Sequence, residues 1–263
     1  MNETEELLRT AIEASTAAGA IVAKRFRHVS SVRFKSRANP VTDLDIQAER
    51  TIVEVITKRF PGHNILSEEV HTVDRGSEYT WVIDPLDGTV NLTQSIPLVA
   101  VSVGLSQDGK PLLGVVFDPM RKELFTAVRG GGAFLNGKQI RASTKASLED
   151  AVVGLDLGYD QSARHRALET ILAILPRIQS YRIIGSAVLG LCYVACRRFD
   201  LYFHPAIYPW DIAAGSVIAS EAGALATDLR GNPVAIDTET IVVSNSELHS
   251  QFMDLAAFRL ITA

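Results

Sequence analysis

The sequence predicts a mixed fold of sheets covered by helices, in two parts: an α+β part over residues 1–141 and an α/β part over residues 142–263. Three observations carry this expectation. Two stretches of apolar residues at helical spacing open the chain, and a run of strand-like segments joined by Asp-Gly and Asn-Gly pairs follows them. After Arg141, short apolar strands alternate with helical stretches, the pattern of helices laid on sheets. The composition, 47% hydrophobic and 21% charged over 263 residues, supplies the apolar surface that both layers need.

The elements follow in chain order. Leu8, Ile12, Ala18, Val22 and Phe26 place a first helix over about Thr4 to Phe26. The basic segment Ser30 to Asn39, broken by Asn39-Pro40, reads as a short strand or loop. Thr42 caps a second helix reaching Phe60, stopped by Pro61-Gly62. From Tyr79, strands take over: Trp81-Val82-Ile83 runs into Asp84-Pro85, where the proline should end it. Leu98–Leu105 and Leu112–Phe117 flank the hairpin pair Asp108-Gly109. Leu124–Val128 and Ala133–Leu135 continue the sheet, with a further turn at Asn136-Gly137. In the second part, strands are expected at Val152–Leu155, Arg182–Ile184, Leu201–Phe203 and Ile241–Ser244. Helices are expected at Ala163–Ile178 (cut short by Pro176), Ala187–Cys196, Ile212–Ala222 and Ser246–Leu260.

Composition excludes several classes of function. A net charge of −4 argues against a nucleic-acid protein that relies on a bulk basic field. The acidic, polar start from Met1 to Arg9 is not a signal peptide, and no stretch approaches the roughly 18 apolar residues of a membrane helix. The nearest, Val188–Cys196, is closed by Arg197-Arg198. Two cysteines make no disulfide framework, so a reducing cytoplasm is the expected location and no membrane the expected partner.

The most informative segment is Asp84-Pro85-Leu86-Asp87-Gly88-Thr89. Directly after an apolar strand, a turn of this kind points two carboxylates and the Leu86 carbonyl at one spot, an all-oxygen set suited to a hard cation such as Mg²⁺. Gly88 permits the sharp turn, and the amides of Gly88 and Thr89 would face an anion held there. Each dipeptide alone is an ordinary surface turn; an EF-hand is excluded by Leu86 and Ser95, where oxygen ligands belong. Glu68-Glu69 repel unless one meets a cation or water. Asp211 either caps the helix that follows or holds metal, and Asp45 completes a capping box with Thr42. Cys192 and Cys196, four apart on an apolar helix, read as small buried residues. The six histidines show no metal-ligand spacing, and Gly130-Gly131-Gly132 lacks the Lys-Ser/Thr of a phosphate loop.

Together these segments resemble the inositol monophosphatase family of metal-dependent phosphatases, whose superfamily includes fructose-1,6-bisphosphatases. The resemblance rests on Val41-Thr42 with Asp45, Glu68-Glu69, Asp84 to Thr89, Gly132 to Gly137 and Trp210-Asp211-Ile212-Ala213-Ala214-Gly215. It implies a layered αβαβα sandwich, usually a homodimer, with two or three Mg²⁺ per site (Mn²⁺ as a substitute) and often lithium sensitivity. Carried over by motif, Glu68, Asp84, the Leu86 carbonyl, Asp87 and Asp211 hold metal, and Glu68 with the Thr89–Asp45 pair orients an attacking water. Asp87, Gly88, Thr89, Gly185, Ser186, Ala187 and His204 meet the substrate.

The implied reaction is hydrolysis of a small polyol or sugar phosphate, inositol 1-phosphate first, by in-line attack of water. Inositol-specific members carry a Glu where His204 stands here. A neutral imidazole accepts one hydrogen bond and a carboxylate several, whereas a partly charged one would favour a second phosphate or other anion. Fructose-1,6-bisphosphatase, alone or as a dual activity, is the nearest alternative. A regulatory protein contacting RNA or transcription machinery is the alternative of another class, with the basic stripe Lys24 to Arg37 its one support.

Overall fold

Asn2 opens the first helix. Its side chain accepts from the Glu5 amide at 2.8 Å while Glu5 reaches back to the Asn2 amide at 3.1 Å, a capping box that fixes the start of α1 (Glu3–Arg25). In this computed structural model, residues 2–29, 31–36, 39–69 and 72–257 are described. An antiparallel hairpin of β1 (Val32–Ser36) and β2 (Asn39–Thr42) leads into α2 (Asp43–Arg59), again started by a capping box, Thr42 with Asp45. Leu7, Ala11, Ala14, Ala18 and Val22 of α1 and Leu44, Ala48, Ile52 and Ile56 of α2 make one buried face.

That face lies on a sheet of eight strands. These are β3 (Asn64–Ser67), β4 (Thr72–Val73), β5 (Tyr79–Asp87), β6 (Ala100–Gln107), β7 (Lys110–Asp118), β8 (Glu123–Val128), β9 (Gly132–Leu135) and β10 (Lys138–Ile140). A short helix, α3 (Thr89–Thr93), leaves the end of β5. The spatial order is β10-β9-β8-β7-β6-β5-β3-β4, antiparallel except for β3 on β5. The expected turns at Asp108-Gly109 and Asn136-Gly137 have all four residues at positive φ, the geometry whose twist matches the strands.

The second sheet has the order β12-β11-β13-β15-β14. Its elements in chain order are β11 (Val152–Leu155), α4 (Gln161–Ile174), β12 (Ser180–Ile183), α5 (Ala187–Ala195), β13 (Leu201–His204), α6 (Pro209–Glu221), β14 (Leu225–Thr227), β15 (Ile241–Ser244) and α7 (Ser246–Phe252). Pro176 ends α4 in a 3₁₀ turn over Leu175–Arg177. The C-terminal helix is shorter than the sequence suggests: α7 stops at Phe252, a π turn covers Met253–Ala257, and residues 258–260 lie outside the described residues.

Three apolar cores define five layers. One joins α1 and α2 to the outer face of the large sheet, through Trp81, Ile83, Val101, Val103 and Val115. The second fills the space between the sheets with α5 and α6. The third joins the far face of the small sheet to α4 and α7, through Val153, Leu201, Phe203, Ala167 and Phe252. The chain is thus an αβαβα sandwich. Every residue of α5 is buried because the helix is covered on all sides, which explains an apolar run too short to span a membrane. Helix α6 touches the large sheet backbone to backbone: a Cβ on Gly114 would stand 2.3 Å from the Ala214 carbonyl oxygen, and one on Gly104 2.8 Å from the Ala213 Cβ.

Strand β5 departs from the sequence expectation. It does not end at Pro85 but continues to Asp87 across a register shift, with Asp84 opposite Ser102 and Asp87 opposite Ala100. The extra residue takes up the missing proline donor as a bulge, and bulges re-aim side chains.

Candidate active site

The bulged end of β5 delivers the first carboxylates. Asp84 is almost completely buried, and its Oδ1 accepts from the Leu86 amide at 2.9 Å. Asp87 accepts through Oδ2 from the Val188 amide at 3.0 Å and from the Ser186 hydroxyl. Gly88 then turns the chain at φ +89°, where a Cβ would meet the Leu98 carbonyl oxygen at 2.7 Å, so only glycine closes this turn.

Asp211 arrives from the first turn of α6. Its Oδ2 accepts from the Tyr208 amide at 3.0 Å, so it belongs to that helix's capping arrangement. Asp84, Asp87 and Asp211 each place a carboxylate oxygen within 4.8 Å of the others. Burial, then mutual repulsion and the charge of Glu68, raises the pKa of Asp84 and of Asp211 far above the usual carboxylate range. Asp87 is pushed up to about 7 by burial, against the hydrogen bond from Ser186. Among the described residues none of the three has an ion-pair partner, and a divalent cation would supply that missing charge.

Glu68 lines the same cleft, with its Oε1 held by Lys35 at 3.0 Å. The same ammonium reaches Glu69 at 2.6 Å, which resolves the repulsion of the adjacent acids. Burial still pushes Glu69 up to about 7.

Asp45 faces two ways. One oxygen accepts from the Thr42 amide at 2.8 Å and from the Thr42 hydroxyl, completing the capping box. The other accepts from the Thr89 hydroxyl at 3.0 Å, a contact spanning 44 residues. Thr89 Oγ1 also lies 3.2 Å from the Leu86 carbonyl. Burial pushes Asp45 up to about 6 despite these donors.

The second half closes the far side of a cleft of about 230 Å³. Gly185, Ser186 and Ala187 line it, although the Ser186 hydroxyl is directed at Asp87 and caps α5 through the Leu189 amide at 3.2 Å. His204 is buried at the end of β13. Its Nδ1 accepts from the Ala206 amide at 3.2 Å, and burial pushes its pKa down to about 3. The imidazole is therefore neutral, and Nε2 carries the proton. Of the two states the sequence left open this is the neutral one, and its single acceptor nitrogen is taken by the Ala206 amide rather than turned to the cleft.

Sequence reasoning missed four residues here. Lys35 sat in a stretch read only as basic. Asp156 accepts from the Gly185 amide at 2.7 Å and the Tyr202 hydroxyl at 3.0 Å, and burial pushes it up to about 6. An acid directly after the apolar strand Val152–Leu155 was the available signal, the same one that marked Asp84. Tyr159 and Arg164 also line the cleft, and nothing in their local sequence distinguishes them from surface residues.

Comparisons with known proteins agree with this architecture. The family model described as "Inositol monophosphatase family" matches residues 3–259. The chain is 37% identical over 258 residues to "Inositol monophosphatase 2" of Solanum lycopersicum, covering 95% of this chain and 97% of that one. It is 39% identical over 232 residues to "Nus factor SuhB" of Pasteurella multocida, covering 86% of each. Among solved structures, the IMPase of Thermotoga maritima superposes with a TM-score of 0.90 at 32% identity, covering 97% of this chain and 98% of that one.

Proposed function

The chain belongs to the inositol monophosphatase family and is a phosphoric monoester hydrolase, and from that premise we propose that it is a Mg²⁺-dependent phosphatase of a small polyol or sugar phosphate, with inositol 1-phosphate the reference substrate. The observation that carries this reading is the trio Asp84, Asp87 and Asp211, two buried carboxylates and one half-buried, brought together without a counter-charge. With Glu68 and the Leu86 carbonyl they form an all-oxygen donor set that would hold two or three Mg²⁺, or Mn²⁺ in its place. Bound there, the metal supplies positive charge to the phosphoryl oxygens and acidifies water.

The chain's own groups do the rest. The Thr89 hydroxyl donates to Asp45, which leaves its lone pairs free to accept from a water and to relay that water's proton toward a carboxylate whose pKa burial raises to about 6. Glu68 stands beside the same space as a second acceptor. Gly88 and Thr89 line the wall where the phosphate would rest, and Gly185, Ala187 and His204 line the wall facing its alcohol. Ser186 acts by holding Asp87.

A homodimer is part of the proposal. Leu168, Leu172 and Leu175 of α4 and the following turn, with Tyr181 and Ile183 of the edge strand β12, are exposed apolar side chains, Leu172 to 69%. Such a surface suits a second copy of the chain. The cytoplasm is the proposed location: both cysteines are free, and no helix among the described residues is long and apolar enough to cross a membrane. The regulatory reading fits less well, because within the basic stripe Arg25 pairs with Asp43 at 2.6 Å and Lys35 with Glu68 and Glu69; Arg37 lies outside the described residues.

Phosphate release from a panel of monoesters and bisphosphates, in Mg²⁺ and in EDTA, tests the reading. Mg²⁺-dependent release is expected. Turnover that persists in EDTA, or none on any ester, would sink it.

A further inference from the structure

Asp87 is held from the other half of the chain. Its Oδ2 accepts from the Ser186 hydroxyl and from the Val188 amide at 3.0 Å, contacts that span 99 and 101 residues. Both bonds go to one oxygen, which leaves Oδ1 to serve as a ligand atom. The aim of this carboxylate therefore depends on where the turn Ile184-Gly185-Ser186, just ahead of α5, is placed.

Two buried side chains place that turn. Asn91 of α3 grips it by its carbonyls, donating from Nδ2 to Ile184 at 2.8 Å and to Gly185 at 3.1 Å. Asp156, directly after β11, grips it by an amide: its Oδ1 accepts from the Gly185 N–H at 2.7 Å. A Cβ on Gly185 would lie 3.0 Å from the Asn91 side chain, so the turn has no room to slide. The second oxygen of Asp156 accepts from the Tyr202 hydroxyl at 3.0 Å. Tyr202 is completely buried, and its ring is seated against two glycines: a Cβ on Gly190 would stand 2.3 Å from it and one on Gly154 3.1 Å. An unbroken line thus runs from a ring locked in the core, through Asp156 and the Gly185-Ser186 turn, to Asp87.

A neutral acceptor would be enough to satisfy one amide and one hydroxyl. A buried carboxylate without an ion-pair partner among the described residues costs stability, and what it adds is shorter, stronger hydrogen bonds than a neutral group makes. Stiffness of the turn is what that exchange provides.

We propose that Asp156 is a positioning residue for the metal site: it fixes the Gly185-Ser186 turn so that Ser186 and the start of α5 hold Asp87 in the orientation that binds a divalent cation. The proposal rests on the phosphatase reading for Asp87 as a ligand of that cation. It adds a control on cation affinity from a residue that reaches Asp87 only through Gly185 and Ser186.

Calorimetric Mg²⁺ binding, and the Mg²⁺ dependence of phosphate release, test this in the full chain well below its Tm. Asp156→Ala should weaken Mg²⁺ binding about 10-fold or more, the low end of what losing the support of a metal ligand costs, and should raise the Mg²⁺ concentration for half-maximal release in step. Asp156→Asn, which keeps an acceptor for Gly185, should restore most of the affinity. Tyr202→Phe leaves the ring in place but removes the donor that orients Asp156, and should weaken binding about threefold, the worth of a weak hydrogen bond. In a double-mutant cycle, Asp156→Ala should add little to Ser186→Ala, because both break the same line. A role in packing alone would lower Tm and leave Mg²⁺ affinity at the wild-type value. That result in Asp156→Ala, or in Tyr202→Phe should Asp156→Ala not fold, would overturn the proposal, as would full additivity in the cycle. A wild type that binds Mg²⁺ but releases no phosphate would sink the phosphatase reading alone. Mg²⁺-dependent release with unchanged affinity in Asp156→Ala would sink the positioning role alone.

Discussion

Single side chains in this protein carry two duties, and substitutions separate them. Asp45 both starts α2 and receives the Thr89 hydroxyl. Thr89→Val should lower kcat for phosphate release by about 100-fold, the usual worth of a positioned proton acceptor, with Thr89→Ser close to wild type. A Thr89→Val enzyme with unchanged kcat would remove the pair from the reaction. Asp87→Asn should reduce release on every substrate by two orders of magnitude or more, about what loss of a metal-site group costs at minimum, with the circular dichroism spectrum retained. His204 gives a pH signature. Its folded pKa, about 3, lies below the ordinary histidine value of 6.5, so the folded state binds fewer protons between them. Its share of stability is therefore present above pH 6.5 and is lost as pH falls toward 3. In His204→Gln the fall in denaturant midpoint between pH 6.5 and 5 should be shallower, by at most about 1.4 kcal/mol per pH unit.

Elements position these groups through close backbone contacts rather than through long side chains. Helix α6 brings Asp211 to the ends of β5 only because Gly104 and Gly114 let it lie on β6 and β7. Gly114→Val should cost about 1–3 kcal/mol by overpacking and should also raise the Mg²⁺ concentration for half-maximal activity, since α6 must move. A destabilised variant with an unchanged Mg²⁺ requirement would separate α6 packing from the placement of Asp211. The bulge in β5 acts in the same way. In a regular strand Asp84 and Asp87, three residues apart, would point to opposite faces of the sheet; the one extra residue between them, three on β5 against two on β6, takes up that half-step.

At the scale of the whole molecule, the acidic cleft sits where the two sheets and the central helices meet, so occupancy of the site couples to global stability. Asp45, Asp87 and Asp156 have folded pKa values raised to about 6, 7 and 6. Each folded carboxyl thus holds its proton where the unfolded one has lost it, and the metal-free protein loses stability as pH rises from about 4 through 7. Mg²⁺ bound as proposed would offset this loss and compete with those protons. Its effect on Tm should therefore be larger at pH 8 than at pH 5.5, as scanning calorimetry would show. An equal shift at both values would argue that the cation binds elsewhere. Sedimentation of the wild type as a dimer and of Leu172→Glu as a monomer would test the pairing through α4 and β12.

What was readable in the sequence is local. The two capping boxes, the Asp-Gly and Asn-Gly hairpins, the apolar run of α5 and the Asp84–Thr89 segment are all written in adjacent residues, because caps, turns and periodicity depend on neighbours only three or four positions away. Resemblance supplied the family and the layered sandwich. Convergence was decided by tertiary structure alone. Asp211 joins Asp84 and Asp87 through the seating of α6 on a glycine-lined sheet, and Thr89 meets Asp45 across 44 residues. Lys35, Asp156 and Arg164 enter the site with no motif to announce them. His204 turned out a neutral donor because burial and one backbone amide choose its tautomer. Distances between residues far apart in the chain, and the dielectric that surrounds them, exist only once the layers have packed, and the chemistry of this cleft depends on both.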